Sequence, residues 1–212
     1  NDNDGVQGAG EPGIPGATVT LQGTDTNGNP VNQTVTTGPD GSYVFTGVPA
    51  GNYTVTETQP NGFLDGKDSG GNSGGTVTND RVANISLPAG VSTPVTGVNF
   101  GEQLPAKLSG FVYVDAGDDG VKGAGETPIA GVTVTLSGTD NLGAPVTATT
   151  TTNAQGFYEF VGLRPGTYTV TETQPGAFND GKDTAGTTGG NAGNDVISSI
   201  TLGSGENSQN NN

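Results

Sequence analysis

The run DAGDDG at residues 115–120, with Glu126 six residues beyond it, places acids at the first, fifth and twelfth positions of a twelve-residue loop. Calcium-binding loops use this spacing because alternate side chains of an extended loop converge on one ion. Asp115 and Asp119 would supply carboxylate oxygens, Gly120 permits the reversal, the Val121 carbonyl adds an oxygen, and Glu126 closes the shell with both of its own. Gly117 stands where a third acid is usual. A partial version opens the sequence, with Asp2, Asp4, Gly5, Val6 and Glu11 on positions three, five, six, seven and twelve. The two versions complement each other, since the first holds the acid that the second replaces by Gly117. The competing reading is a solvated acidic turn with no ion. Glycines and Pro128 after the loop, and Phe111 to Val114 before it, exclude the two helices of an EF-hand, so the loop bridges strands.

A second cluster combines Asp65, Asp68 and Asp80 with glycine-rich residues 70–75, and its copy combines Asp180, Asp183 and Asp195 with residues 186–193. Glycine lets carbonyl oxygens approach an ion closely. The alternative is a long polar loop whose charge Lys67 and Lys182 offset. Asp40 is not a candidate, because its copy is Gln155; a turn explains it.

Composition narrows the chemistry further. The 212 residues carry Lys+Arg 6 against Asp+Glu 21, a net charge of -15, and no Cys, His, Met or Trp. No thiol nucleophile, imidazole base, disulfide or zinc site can be built, and oxygen ligands alone favour calcium. The charge repels phosphates and anionic membranes, so nucleic acid is a poor partner. No apolar run approaches the ~20 residues that span a bilayer, and membrane insertion is not expected. A glycosidase would need paired acids in a cleft with stacking aromatics. With aromatic content of 6% and no Trp, no enzyme is expected.

The elements that must position these acids occur twice. The sequence aligns on itself at an offset of 115 residues, Asp4 with Asp119, without a gap as far as Leu87. YTVTETQP at 53–60 matches 168–175, and DGKD at 65–68 matches 180–183. Two domains follow, residues 1–104 and 105–212. Within the first copy, runs at 17–21, 31–37, 42–45, 53–58 and 82–87 are rich in Val, Thr, Tyr and Phe, are separated by turn residues, and read as strands. Alternation puts Tyr53, Val55 and Glu57 on one face, so that Glu57 and its copy Glu172 point inward. The first copy should lack the strand equivalent to 108–115 and the second its last strand. Such open edges invite strand addition, expected at 17–21 or 197–202, and head-to-tail assembly with neighbouring repeats.

The acidic loop, the YTVTETQP strand and the DGKD loop together resemble the SdrD B-like repeats of bacterial surface proteins, over nearly all of both copies. The resemblance implies an all-β chain of two tandem prealbumin-like or Ig-like β-sandwich domains with calcium-binding loops, related to collagen-adhesin B domains. It implies an extracellular location, at the bacterial cell surface or secreted, and a rigid stalk or filament module; the alternative is an adhesive module that itself binds a host or matrix ligand. Related B domains often carry a Lys–Asn isopeptide bond promoted by an acid, which Glu57 and Glu172 resemble, with Asn99 as the asparagine. Residues 111–115 contain no lysine, Lys107 precedes them and Lys122 lies in the acidic loop. No isopeptide is therefore expected in the second copy.

Overall fold

The alternating sequences TVTLQGTD and TVTLSGTD become β1 (Thr18–Asp25) and β11 (Thr133–Asp140), with Val19 and Leu21, or Val134 and Leu136, turned into a core. This computed structural model describes residues 3–90 and 93–212. The chain divides into two units, Asn1–Gln103 and Leu104–Asn212. The first holds β1, β2 (Pro30–Thr36), β3 (Gly51–Thr58), β4 (Leu64–Asp65), β5 (Ser69–Gly70), β6 (Thr76–Thr78), β7 (Arg81–Leu87), β8 (Val98–Asn99) and β9 (Glu102–Gln103). The second holds β10 (Ala106–Phe111), β11, β12 (Pro145–Thr151), β13 (Phe157–Leu163), β14 (Gly166–Glu172), β15 (Asn191–Gly193), β16 (Val196–Leu202) and β17 (Asn207–Ser208). Among the described residues the one helical element is a 3-10 turn at Gly71–Ser73.

Each unit has a five-stranded antiparallel sheet, ordered β2-β1-β3-β7-β6 in the first and β12-β11-β14-β16-β15 in the second. Local chemistry fixes the first hairpin of each. Asp25 Oδ1 accepts the N–H groups of Asn27 and Asn29, and Asp140 Oδ1 those of Leu142 and Ala144, so one carboxylate organises each turn. Opposite Tyr53 in the register stands Gly23, where a Cβ would lie 2.5 Å from the tyrosine ring. The missing side chain lets Tyr53 lie flat across β1, and Gly138 does the same for Tyr168. Both tyrosines are 1% exposed and donate their hydroxyls four residues back, to the Pro49 and Arg164 carbonyls.

The units differ in their second layer. In the second unit β10 lies between β13, antiparallel, and β17, parallel. Leu108, Tyr158, Phe160 and Leu163 of this small sheet meet Leu136, Tyr168, Val170, Ile197 and Ile200 of the large one in a single core. Residues 207–212 run beside β10: Asn211 is fully buried, its Nδ2 donating to the Ser109 carbonyl and its Oδ1 accepting from Gly186 N–H. Gly110 allows that approach, since a Cβ there would sit 1.8 Å from the Asn211 carbonyl oxygen. Gly110→Ala should therefore cost the second unit about 1–3 kcal/mol; a wild-type melting curve for this variant would contradict the packing.

In the first unit the run expected as a strand at 42–45 joins no sheet among the described residues. A strand needs a ladder partner, and residue type alone does not supply one. The edges also lie elsewhere than expected. β1 is flanked along its length by β2 and β3, so strand addition at 17–21 is blocked by neighbours already in place, whereas β16 has β14 on one side and β15 only along Val196–Ser198 on the other.

Candidate metal centre

The first acidic loop satisfies itself with its own backbone. Asp115 Oδ2 accepts Gly120 N–H at 2.8 Å and Oδ1 accepts Asp119 N–H at 3.2 Å, which holds this carboxyl below the usual range. Asp119 Oδ1 accepts Val121 N–H at 2.8 Å, while Glu126 accepts Ala116 N–H on Oε1 and Gly123 N–H on Oε2. Gly117 lies beside both aspartates, its ideal Cβ position 3.7 Å from Asp119 Oδ2 and 3.9 Å from Asp115 Oδ1. Val121 presents its side chain to solvent. The opening loop repeats this wiring, with Val6 N–H on Asp4 Oδ1 at 2.7 Å and Gly8 N–H on Glu11 Oε2 at 2.8 Å. Asp2 lies outside the described residues. These bonds preform the loop, but they do not bring three of its acids onto one point.

The second cluster converges further. Glu57, Asp80 and Glu102 each offer a carboxylate oxygen within 4.8 Å of the others, and all three are partly buried. β3 delivers Glu57 from the face that buries Tyr53 and Val55. The turn between β6 and β7 delivers Asp80, whose positive φ of 54° lets its carbonyl accept Glu57 N–H at 2.9 Å. β9 delivers Glu102, directly opposite Asp65 of β4 in the ladder. Asp68 braces the group, accepting Asp80 N–H on Oδ2 and Gly101 N–H on Oδ1. Of the acids singled out in the sequence, Asp80 belongs to the converging group, Asp68 binds its N–H and Asp65 stands opposite Glu102. Glu102 was missed altogether, and Glu57 was read as inward-facing without being assigned to the cluster.

The electrostatics are those of negative charge crowded without compensation. Burial, then the Glu102 charge, pushes Glu57 up to about 8. Burial raises Glu102 to about 7 despite the Gln59 amide that donates to it, and burial and Asp65 raise Asp80 to about 6. No lysine or arginine lowers any of these. Glu57 Oε2 and Glu102 Oε1 are buried with no hydrogen-bond partner. An all-carboxylate set with uncompensated buried oxygens suits a hard, oxygen-seeking divalent cation.

The second unit repeats the arrangement in part. Asp195, φ 57°, accepts Glu172 N–H on its carbonyl and donates its own N–H to Asp183 Oδ2. Burial, with Asp195, Asp183 and Asp180 behind it, raises Glu172 to about 7. Burial also raises Asp183 and Asp195. Asp180 is exposed at the rim.

The two acidic regions meet within each unit. One cleft of the second unit is lined by Tyr113, Asp115, Glu172, Asp180, Asp183 and Asp195, and the Thr184 hydroxyl donates to the Gly120 carbonyl. In the first unit Asn3 Oδ1 accepts Lys67 N–H at 2.7 Å, and Gly5 sits against the Lys67 and Asp68 carbonyls. Of the lysines, Lys107 is exposed opposite Asn207, and Lys122 donates to the Glu126 and Gly123 carbonyls.

Sequence comparison places the chain in a family. The chain is 36% identical over 191 residues to serine-aspartate repeat-containing protein F of Staphylococcus epidermidis, covering 86% of the chain and 10% of that protein. It is 35% identical over the same length to serine-aspartate repeat-containing protein D of Staphylococcus aureus strain Newman, of which it covers 13%. The chain therefore spans about a tenth of the length of these relatives. Among solved structures, a streptococcal ancillary pilin is similar at 16% identity and a TM-score of 0.37 over 94% of this chain and 59% of its own. That likeness is too low to carry an argument. The sequence profile of the SdrD B-like domain matches residues 1–96 and 106–212, and the chain belongs to that family.

Proposed function

We propose that the chain is a non-catalytic structural repeat of an extracellular bacterial surface protein, stiffened by calcium held among its clustered acids. The observation that carries the reading is the Glu57, Asp80 and Glu102 grouping, partly buried, with Glu57 Oε2 and Glu102 Oε1 left without hydrogen-bond partners. Asp65 and Asp68 would complete the shell in the first unit, and Glu172, Asp180, Asp183 and Asp195 would form its counterpart. The preformed loops around Asp4 and Glu11, and around Asp115, Asp119 and Glu126, border these sites and would add oxygens from side chains and from the Val6 and Val121 carbonyls. Several carboxylates on irregular loops suit the large, flexible shell of calcium better than the strict octahedron of magnesium. An ion there would tie β3, β4, β9 and the turn between β6 and β7 together, which is how a thin-cored module gains stiffness.

Isothermal titration calorimetry with calcium and with magnesium tests this. Calcium should bind with at least millimolar affinity and magnesium more weakly. Glu57→Gln should weaken the first-unit site about ten-fold or more, by removing one charged ligand, while Gln155→Ala should change nothing. Absence of calcium heat in the wild-type chain would overturn the proposal.

A further inference from the structure

Two asparagines of the chain precede a glycine, Asn27 and Asn61, and both lie in the first unit. In an Asn-Gly pair the backbone nitrogen of the glycine most easily reaches the side-chain amide carbon of the asparagine, because no Cβ stands in the way and the chain rotates freely. The structure surrounds the two pairs differently.

Asn27 is held in the hairpin between β1 and β2. Gly28 N–H donates to the Asp25 carbonyl at 3.0 Å, so the nitrogen that would attack is already engaged. Asp25 Oδ1 accepts the N–H groups of Asn27 and Asn29, Asp25 Oδ2 accepts Asn29 Nδ2, and Asp25 N–H closes the turn on the Asn29 carbonyl at 2.9 Å. This turn must open before Asn27 can react.

Asn61 stands in the turn between β3 and β4, closed by Phe63 N–H on the Pro60 carbonyl at 3.4 Å, long for a hydrogen bond. Asn61 and Gly62 are both exposed, and Gly62 N–H has no acceptor among the described residues. Gly62, at φ 87°, has nothing within 4 Å of the place where a Cβ would stand, so no neighbour resists rotation. At the matching place in the second unit stand Gly176 and Ala177, in a turn closed at 3.0 Å and with no side-chain amide to react.

We propose that Asn61 is a site of spontaneous covalent modification, at which Gly62 N attacks Asn61 Cγ. The new C–N bond closes a succinimide, the side-chain nitrogen of Asn61 leaves as ammonia with the Gly62 proton, and water then opens the ring to aspartate or isoaspartate. Either product adds a negative charge. Isoaspartate also adds a methylene to the backbone between Glu57 of β3 and Asp65 of β4, in the connection that carries Gln59, whose side chain donates to Glu102. The first unit thus contains a one-way chemical change that its copy lacks. The inference rests on turn geometry and not on calcium.

Peptide mapping by mass spectrometry, on folded chain aged in warm, mildly alkaline buffer, tests this. Amide-to-acid conversion should run about ten-fold or more faster at Asn61 than at Asn27, since a set of hydrogen bonds guards only the latter. In concentrated guanidinium the two should convert at similar rates, and Asp25→Ala should speed the reaction of Asn27 in the folded chain. An isoaspartate-specific methyltransferase should label the aged wild-type chain, and Asn61→Gln should remove most of that label. A folded chain in which Asn61 converts no faster than Asn27, or stays intact while the denatured chain converts, would overturn the proposal.

Discussion

Phe160→Ala is expected to destabilise the second unit by about 3–5 kcal/mol, whereas the matching Phe45→Ala should cost the first unit roughly half as much or less. Both phenylalanines occupy the same place in the repeat. Phe160 is 6% exposed, enclosed by β10 and the large sheet, so truncation leaves a cavity that rigid surroundings cannot close. Phe45 is packed on its core from one side only, and water already reaches it. Truncation there removes less buried area and creates no sealed void. At about 4–8 °C per kcal/mol for domains of this size, Phe160→Ala should lower the melting point of the second unit by more than about 12 °C. Amide exchange resolved by unit separates the two effects, and equal costs at both positions would refute the difference in closure.

Removing calcium should have the next largest effect, and the effect should depend on pH. At ~100 times its dissociation constant one ion adds about 2.7 kcal/mol to the folded state. Chelation should then lower the melting point of a unit by roughly 10–20 °C. In chelator, pH acts in a definite direction. Glu57 and Glu102 are raised to about 8 and about 7 in the folded state, whereas an unfolded glutamate titrates near ~4.3. Between those values the folded state holds protons that the unfolded state has released, so stability falls as pH rises through the window, and the loss is complete above the folded values. Both carboxylates are only half buried, so the drop from pH 5 to pH 8.5 should be modest, on the order of 5 °C after allowing for solvent screening. Saturating calcium should reverse the trend, because the ion takes the deprotonated ligands and its affinity rises with pH. A melting point in chelator that does not change over this range would show that the acids are not crowded as described.

Much of this was settled by local sequence. Alternating Val, Leu and Tyr between glycine-marked turns specify β1, β2, β3 and β7 and their copies, because side-chain period and turn chemistry act over a few residues. The same alternation, read from Tyr53 through Val55, puts Glu57 on the core face. The spacing of Asp115, Asp119 and Glu126 dictates how the loop folds on its own amides. Tertiary structure decided what depends on pairing between distant segments. Glu102 joins Glu57 and Asp80 only because β9 pairs with β4, a register that no local pattern records. The loop at 115–126 and the cluster at 180–195 looked independent, yet the closing of the sandwich brings them to one cleft. Tyr43 and Phe45 have the composition of Tyr158 and Phe160 and still form no strand, because a strand is completed by its neighbour. In the second unit β10 supplies that neighbour, and in the first nothing among the described residues does.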